Sequence, residues 1–259
     1  IAGSLGYAGG IAGENGAGLV ERCANSGFVT SGYEAGGIVG YNHNYYDDPD
    51  PAIIRHCYNI GSVSGYTVGG IVGFAVQQVG SSVEIDSCWA ACELNGTNSV
   101  GGLIGHASGL TIRCCSYDKT VFTGNPVGKK TSCNILDSGF KSTEEFASGA
   151  AAYLLNGESS GGFWRQTIGT DAYPGFSGDK VYYGYISCAD NAKKVYTNDA
   201  TATEVKPAHN WSNNDGICAN GCGYECTHDS YTNGICDNCG YECAHTWDED
   251  GYCRKCKTF

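Results

Sequence analysis

Two hydrophobic patterns alternate along the first 120 or so residues, and both recur. One is a pentad, Gly-Gly-(Ile/Leu)-aliphatic-Gly, at Gly9–Gly13, Gly36–Gly40, Gly69–Gly73 and Gly101–Gly105. Its second glycines are Gly10, Gly37, Gly70 and Gly102, so the steps are similar without being equal. The other is an aliphatic residue, two mostly polar residues and a Cys: Val20 to Cys23, Ile54 to Cys57, Ile85 to Cys88 and Ile112 to Cys115. Four residues beyond that Cys come Gly27-Phe28-Val29, Gly61-Ser62-Val63 and Cys92-Glu93-Leu94, then the turn dipeptides Ser31-Gly32, Ser64-Gly65 and Asn95-Gly96. Short aliphatic and β-branched runs punctuated by glycine predict strands with tight turns rather than helices. A period of roughly 30 residues predicts stacked units, each burying its apolar face against its neighbours.

If like positions stack, each unit forms one layer, about 4.8 Å from the next. Ladders of Ile11/Ile38/Ile71/Leu103 and of Val20/Ile54/Ile85/Ile112 then fill the core. Cys23, Cys57, Cys88 and Cys115 form a third ladder. Stacked Cα atoms are close enough for a disulfide, but parallel Cβ vectors give the wrong torsion. These cysteines are therefore expected as small apolar core residues. Spacing assigns no partner to Cys92, Cys114, Cys133 or Cys188.

The pentads with their intervening aliphatic-x-x-Cys and Gly-x-Val segments resemble the GLUG-motif repeats of bacterial surface and secreted proteins, including adhesin-like ones. The resemblance covers about half the chain. It implies a right-handed parallel β-helix or related β-solenoid, a secreted or cell-surface location, and a role in adhesion or display. It also implies a host or bacterial surface glycan or protein as partner. The third unit departs from the pattern, with Cys92 where the others carry Gly, and the second has an insertion from Asn42 to Pro51.

Composition fits a turn-rich β architecture, with 40 glycines in 259 residues and 41% hydrophobic content. A formal charge of −12 argues against nucleic acid as a partner, because that surface is bound through basic patches. No run of 18 apolar residues suggests a membrane span. Since Ile1 opens mid-repeat without Met, any export signal is expected to lie ahead of it.

Beyond residue 140 the pattern changes. Ser142-Thr143-Glu144-Glu145 is a capping box, and Phe146, Ala150, Tyr153 and Leu154 follow at helical spacing. The spacing predicts one amphipathic helix over 143–155, ended by Asn156-Gly157. Glu144 and Glu145 are adjacent and do not face one another, so capping rather than acid/base chemistry is expected. With the Trp164 segment and the strand around Tyr182, this helix is expected to cap the solenoid end and cover its open edges. The predicted organisation is a GLUG-repeat β-solenoid over 1–140, a cap and linker over 141–205, and a Cys/His-rich tandem repeat over 206–259.

That last segment carries the sharpest chemistry. It holds eight of 16 cysteines and three of six histidines, with almost no aliphatic side chains. His209, Cys218, Cys222, Cys226 and His228 make the first unit. His228, Cys236, Cys239, Cys243 and His245 make the second, and His245, Cys253 and Cys256 open a third. Such a segment cannot fold on buried apolar surface alone and needs disulfides or metal. Tetrahedral zinc takes thiolate and imidazole donors, and a His recurring before each Cys pair has no use in a disulfide. A secreted setting favours disulfides instead. Structural zinc in ribbon-like modules is the expectation. Spacing does not say which donors group together, since a His rarely serves two ions.

Other motifs carry less. Gly124 to Thr131 falls one spacer residue short of a P-loop and has Lys where Ser/Thr is needed. Asp47, Asp48 and Asp50 are expected in a solvated loop. His43, His56 and His106 stand alone as expected surface or turn residues. There is neither a Gly-x-Ser-x-Gly elbow nor a His-Glu-x-x-His motif. Two classes follow: a non-catalytic scaffold, or a β-helix polysaccharide lyase, glycoside hydrolase or glycan-binding module. Arg22, Arg55 and Arg113 suggest a basic stripe, but recurring acids to pair with it are sparse.

Overall fold

A computed structural model describes residues 2–3, 6–44, 50–78, 82–189, 192–210, 212, 217–220, 222, 226, 231–232, 235–238, 240 and 242. The chain divides into two compact units, residues 1–181 and 182–259. The first is mainly β, and its strands stack in parallel to form a β-solenoid. Its coils have four faces. One combines Ala2–Gly3, Ala8–Gly9, Val29–Ser31, Glu34–Gly36, Val63–Gly69 and Leu94–Gly101. The second stacks Ala12–Asn15, Val39–His43, Val72–Val76, Ile104–Ser108 and Val127–Thr131. The third stacks Gly18–Glu21, Ala52–Arg55, Val83–Asp86, Thr111–Arg113 and Asn134–Leu136. The fourth stacks Ala24–Asn25, Tyr58–Asn59, Trp89–Ala90, Ser116–Asp118 and Gly139–Lys141.

The pentad is the corner between the first two faces. Like positions are in register, with Val39 opposite Val72 and Val72 opposite Ile104. Ile38, Ile71 and Leu103 are fully buried, as are Ile54, Ile85 and Ile112. Ile11, on the first coil, is 45% exposed. Glycine is required at this corner by close approach. A Cβ on Gly70 would lie 2.2 Å from the Gly102 carbonyl oxygen and 2.7 Å from the Ala90 Cβ. Gly70→Ala is expected to cost about 3 kcal/mol or more by overpacking a corner that cannot give. Gly139→Ala, whose added Cβ meets nothing within 4 Å, should change stability by less than about 0.5 kcal/mol. Chemical denaturation of the two variants checks the contrast.

The Cys ladder turns the corner between the third and fourth faces. Before each ladder position stands a residue in left-handed conformation: Arg22, His56, Ser87 and Cys114, at φ 54°, 52°, 51° and 49°. None is glycine, so the conformation is strained. Backbone bonds to the next coil hold it, from the N–H of Arg22 to Arg55, His56 to Asp86, Ser87 to Arg113 and Cys114 to Leu136. The thiols are core residues and also hydrogen-bond. Cys57, Cys88 and Cys115 donate to the carbonyls of Arg55, Asp86 and Arg113 at 3.1–3.2 Å. Cys88 and Cys115 also accept from the N–H of Cys57 and Cys88 at 3.4 Å.

The solenoid runs on past residue 120, where the recurring sequence pattern ends. Val127–Thr131, Asn134–Leu136 and Gly139–Lys141 add a fifth layer to three faces. Pro126-Val127-Gly128 takes the end of the pentad, and Ile135 falls opposite Ile112. Ser138 occupies the Cys position, donating to the Leu136 carbonyl at 2.7 Å and accepting from the Cys115 N–H at 2.9 Å. The near P-loop is therefore a coil of the solenoid. The predicted turn dipeptide Ser64-Gly65 lies inside strand Val63–Gly69, where the register shifts between Gly65 and Thr67.

The expected helix over 143–155 is two short ones, α1 (Thr143–Ala147) and α2 (Ala150–Leu155). Gly149, at φ 91°, separates them. The capping box forms as predicted: the Glu145 N–H donates to the Ser142 hydroxyl and the Ser142 N–H to the Glu145 carboxylate. These helices and the segment after them pack against the fourth face, and α1 also touches its last strand, Gly139–Lys141. Phe146, Trp164 and Tyr173 gather around Trp89, and the Trp164 indole N–H donates to the Ser87 carbonyl at 3.0 Å. Trp89 and its neighbour Tyr58 offer the large flat apolar surface an amphipathic segment needs.

Asp118 fixes this arrangement. Its buried carboxylate accepts from the Thr143 hydroxyl at 2.7 Å, the Tyr173 hydroxyl at 2.8 Å and the Thr120 N–H at 2.8 Å. Burial pushes its pKa up, but these hydrogen bonds outweigh burial and hold it below the usual carboxylate value. A depressed folded pKa contributes stability that is fully present above the unfolded value, about 3.9, and is lost as pH falls through the folded one. Denaturation midpoints should therefore drop more steeply below about pH 4 in the natural chain than in Asp118→Asn. Equal slopes would show that the carboxylate does not hold the segment.

A candidate metal centre in the C-terminal unit

The second unit begins with an antiparallel hairpin, Tyr182–Gly184 against Val195–Thr197, extended by a bridge between Tyr185 and Thr203. Cys188 sits in the hairpin connection, where the Ala189 N–H donates to the Ser187 hydroxyl. His209 follows Pro207, and its neighbour Asn210 laces the chain to the Cys218 turn. The Asn210 N–H reaches the Cys218 Sγ at 3.4 Å, and the Ala219 N–H donates to the Asn210 carbonyl at 2.7 Å. The Asn220 side chain donates to the Ala208 carbonyl at 3.2 Å.

These contacts bring Cys188, His209, Cys218 and Cys222 together, with their donor atoms all within 4.8 Å of one another. The Sγ atoms of Cys188 and Cys218 are 3.4 Å apart, and the Cys222 Sγ is 3.5 Å from the His209 Nδ1. A tetrahedral zinc with Zn–S of about 2.3 Å and Zn–N of about 2.0 Å would set S···S at about 3.8 Å and S···N at about 3.5 Å. A disulfide would need about 2.05 Å between sulfurs. The set fits the ion. Cys188 and Cys218 are buried, and His209 and Cys222 are half-buried. Burial raises the Cys218 pKa, but the Asn210 and Asn220 N–H groups and His209 outweigh it and hold the thiol down at about 6. The Cys188 thiol is pushed up to about 11, first by its contact with Cys222 and then by burial. Clustered thiols resist joint ionisation in this way, and a divalent cation reverses that resistance.

Of the sequence-predicted ligands, His209, Cys218 and Cys222 come together. Cys226 does not join them: its Sγ lies 3.7 Å from that of Cys236. His228, Cys239, Cys243, His245, Cys253 and Cys256 lie outside the described residues. Cys188 was not among the predicted ligands. A signal for it was present, because two residues before His228 and His245 stand Cys226 and Cys243, whereas Pro207 precedes His209. Counted as Cys-x-His followed by a Cys pair, the unit at His209 lacks its first thiol, and Cys188, the nearest one upstream, lies beside the other three donors.

The solenoid offers less chemistry. The suspected stripe of Arg22, Arg55 and Arg113 is not one. In register across the third face, Glu21, Arg55, Asp86 and Arg113 alternate in sign, and Arg55 pairs with Glu21 at 3.0 Å. Arg22, one position on, lies over the Phe163 ring. A cleft of about 260 Å³ beside α2 is lined by His56, Asp86, Arg113, Cys114 and Phe163. Burial pushes its thiol, Cys114, up to about 11, which is unlike an activated nucleophile. His43 is buried rather than at the surface, with its Nε2 2.7 Å from Glu14 and its ring stacked on Tyr41. His56 holds one of the left-handed turn positions, and His106 stacks on Phe74 along the second face. Asp50 is exposed at the end of the insertion, and Asp47 and Asp48 lie outside the described residues. No helix among the described residues is long and apolar enough to cross a membrane.

The family model of the GLUG motif matches residues 31–64, which span about one coil. That match, on a β-solenoid, marks the first unit as a structural repeat. No curated protein and no solved structure matches the chain.

Proposed function

We propose that this chain is a non-catalytic part of a secreted or surface-attached bacterial protein. Its solenoid serves as a spacer and display scaffold in adhesion, and structural zinc clips its C-terminal unit. The four-donor set of Cys188, His209, Cys218 and Cys222 carries the reading of the tail. Four protein donors close a tetrahedral site and leave no position for an activated water. When bound, zinc supplies a cross-link between the hairpin connection and the tail, which a segment poor in aliphatic side chains needs. Structural rather than catalytic use of the solenoid is supported by its charges, which alternate along the third face instead of converging. A glycan hydrolase would need two carboxylates about 5–10 Å apart across a cleft.

The partner class is a surface glycan or protein, and it is met by the solenoid. Immobilised bacterial and host glycans and intact cells, probed with the labelled chain, test this reading. Saturable retention without any change in the glycan supports it. Depolymerisation of a polysaccharide that is abolished by Asp86→Asn would replace it with the enzyme reading.

A further inference from the structure

The Cys226–Cys236 contact divides the tail's donors differently from their order along the chain. By order, Cys226 closes the first unit after Cys218 and Cys222. In space the first set is already complete with Cys188, and Cys226 lies beside Cys236 instead, at 3.7 Å between sulfurs. Both thiols are buried, Cys226 at 8% and Cys236 at 1% exposure. Their separation is far from the disulfide value of about 2.05 Å and close to the roughly 3.8 Å of two thiolates sharing a tetrahedral zinc.

The local fold around Cys236 suits a ligand turn. Tyr231–Thr232 pairs antiparallel with Ile235–Cys236, and Ile235 bridges to Glu242 on its other side. Between them, at φ 70°, Gly240 donates its N–H to the Cys236 carbonyl at 2.9 Å. Cys236 thus stands at the start of a turn that brings the chain back to Glu242. At Cys218 the corresponding thiol accepts from the Asn210 N–H.

We infer that Cys226 and Cys236 are ligands of a second, separate soft divalent ion, zinc by donor type, and that Cys226 takes no part in the first. This rests on the reading of the tail as metal-clipped. The sequence supplies further donors at matching spacing. His228 and Cys239 stand eight residues before and three after Cys236, against nine and four for His209 and Cys222 around Cys218. Each His then serves one ion. The repeating unit becomes Cys-x-His followed by a Cys pair, with Cys188 replacing the missing first Cys of the first unit.

Zinc per chain, measured on the full chain purified under reducing conditions, tests the grouping through paired variants. Cys226→Ser and Cys236→Ser should each lose one equivalent, and the double variant still one, because both thiols hold the same ion. Cys188→Ser/Cys226→Ser should lose two. Cys226→His, which keeps a donor, should retain the equivalent. Where Cys188→Ser alone loses one equivalent, a loss of only one in Cys188→Ser/Cys226→Ser would place Cys226 on the first ion and overturn the inference. So would a loss of two in Cys226→Ser/Cys236→Ser, an unchanged content in Cys226→Ser, or a Cys226–Cys236 disulfide in the natural chain. The first centre is judged separately. If Cys188→Ser keeps all its zinc while the Cys226 and Cys236 variants lose one, that centre fails and the second stands.

Discussion

With zinc held as proposed, replacing Cys218 by serine should weaken its binding by well over 100-fold and leave residues 182–259 without their tertiary structure at ordinary metal concentrations. Changes that only reorient a ligand cost 10- to 100-fold in affinity, and here a ligand itself is lost. Among the four clustered donors Cys218 is a thiol prepared to bind, since the Asn210 N–H already stabilises its thiolate. Binding free energy at a structural zinc is folding free energy, on the order of 10 kcal/mol at neutral pH. Little else is available to replace it, because the segment carries few aliphatic side chains to bury. A strong chelator should give the natural chain the same phenotype, and readded zinc should reverse it. Amide exchange, read separately over residues 192–210 and over the solenoid strands, distinguishes loss of the tail from general unfolding. Protection that persists across 192–210 in Cys218→Ser would show that the clip is not what folds this unit.

The second large effect belongs to Trp89. It is 1% exposed, stacked on Tyr58 at 4.8 Å and 2° on one side and on Tyr173 at 5.2 Å and 8° on the other. Phe146 and Trp164 close the cluster. Trp89→Ala should cost about 3–5 kcal/mol, since the cavity lies between a rigid sheet and helices anchored elsewhere by Asp118. Loss of the α1–α2 segment from the fourth face should accompany it, visible as collapse of the near-ultraviolet circular dichroism with the solenoid's β signal kept. Pairing Trp89→Ala with Tyr173→Ala in a double-mutant cycle should show about 0.5–1.5 kcal/mol of coupling for the stacked rings. Additive costs would mean that the two rings do not support each other.

What the sequence revealed, and what it hid, follows from the range of each interaction. The pentad and the aliphatic-x-x-Cys signature were legible because every coil solves the same local problem, a corner too tight for Cβ beside an aliphatic rung. The fifth coil escaped notice because it keeps the geometry and changes the residues. Ser138 makes the hydrogen bonds of a ladder cysteine, and Asn125-Pro126 stands where the other coils have Gly-Leu or Gly-Ile. The left-handed residues before each ladder position were hidden too, because Arg, His, Ser and Cys give no sign of positive φ. The helical segment was recognised from its capping box, while the face it packs on was not. Its destination depends on Trp89, far upstream, which no local pattern links to it. In the tail, ligand types were plain while their grouping was not. Cys188 lies well ahead of His209 in the chain, and only the hairpin brings it back.

The alternating Glu21, Arg55, Asp86 and Arg113 register also explains why charged residues recur at similar offsets without forming a functional stripe. Opposite signs in adjacent layers favour one stacking register over a slip, because like charges directly opposite are destabilising. The same residues read singly resemble a basic patch, and only pairing across coils resolves them.

X-ray absorption at the zinc edge of the metal-loaded chain is the most direct test of the clip on which this account of the tail depends. The account predicts a first shell of three sulfurs and one nitrogen per zinc, the donor set of Cys188, His209, Cys218 and Cys222. The sulfurs should lie at about 2.3 Å and the nitrogen at about 2.0 Å, as in tetrahedral zinc sites generally. A shell containing water oxygen, fewer than three sulfurs, or no bound zinc beside oxidised thiols would contradict it.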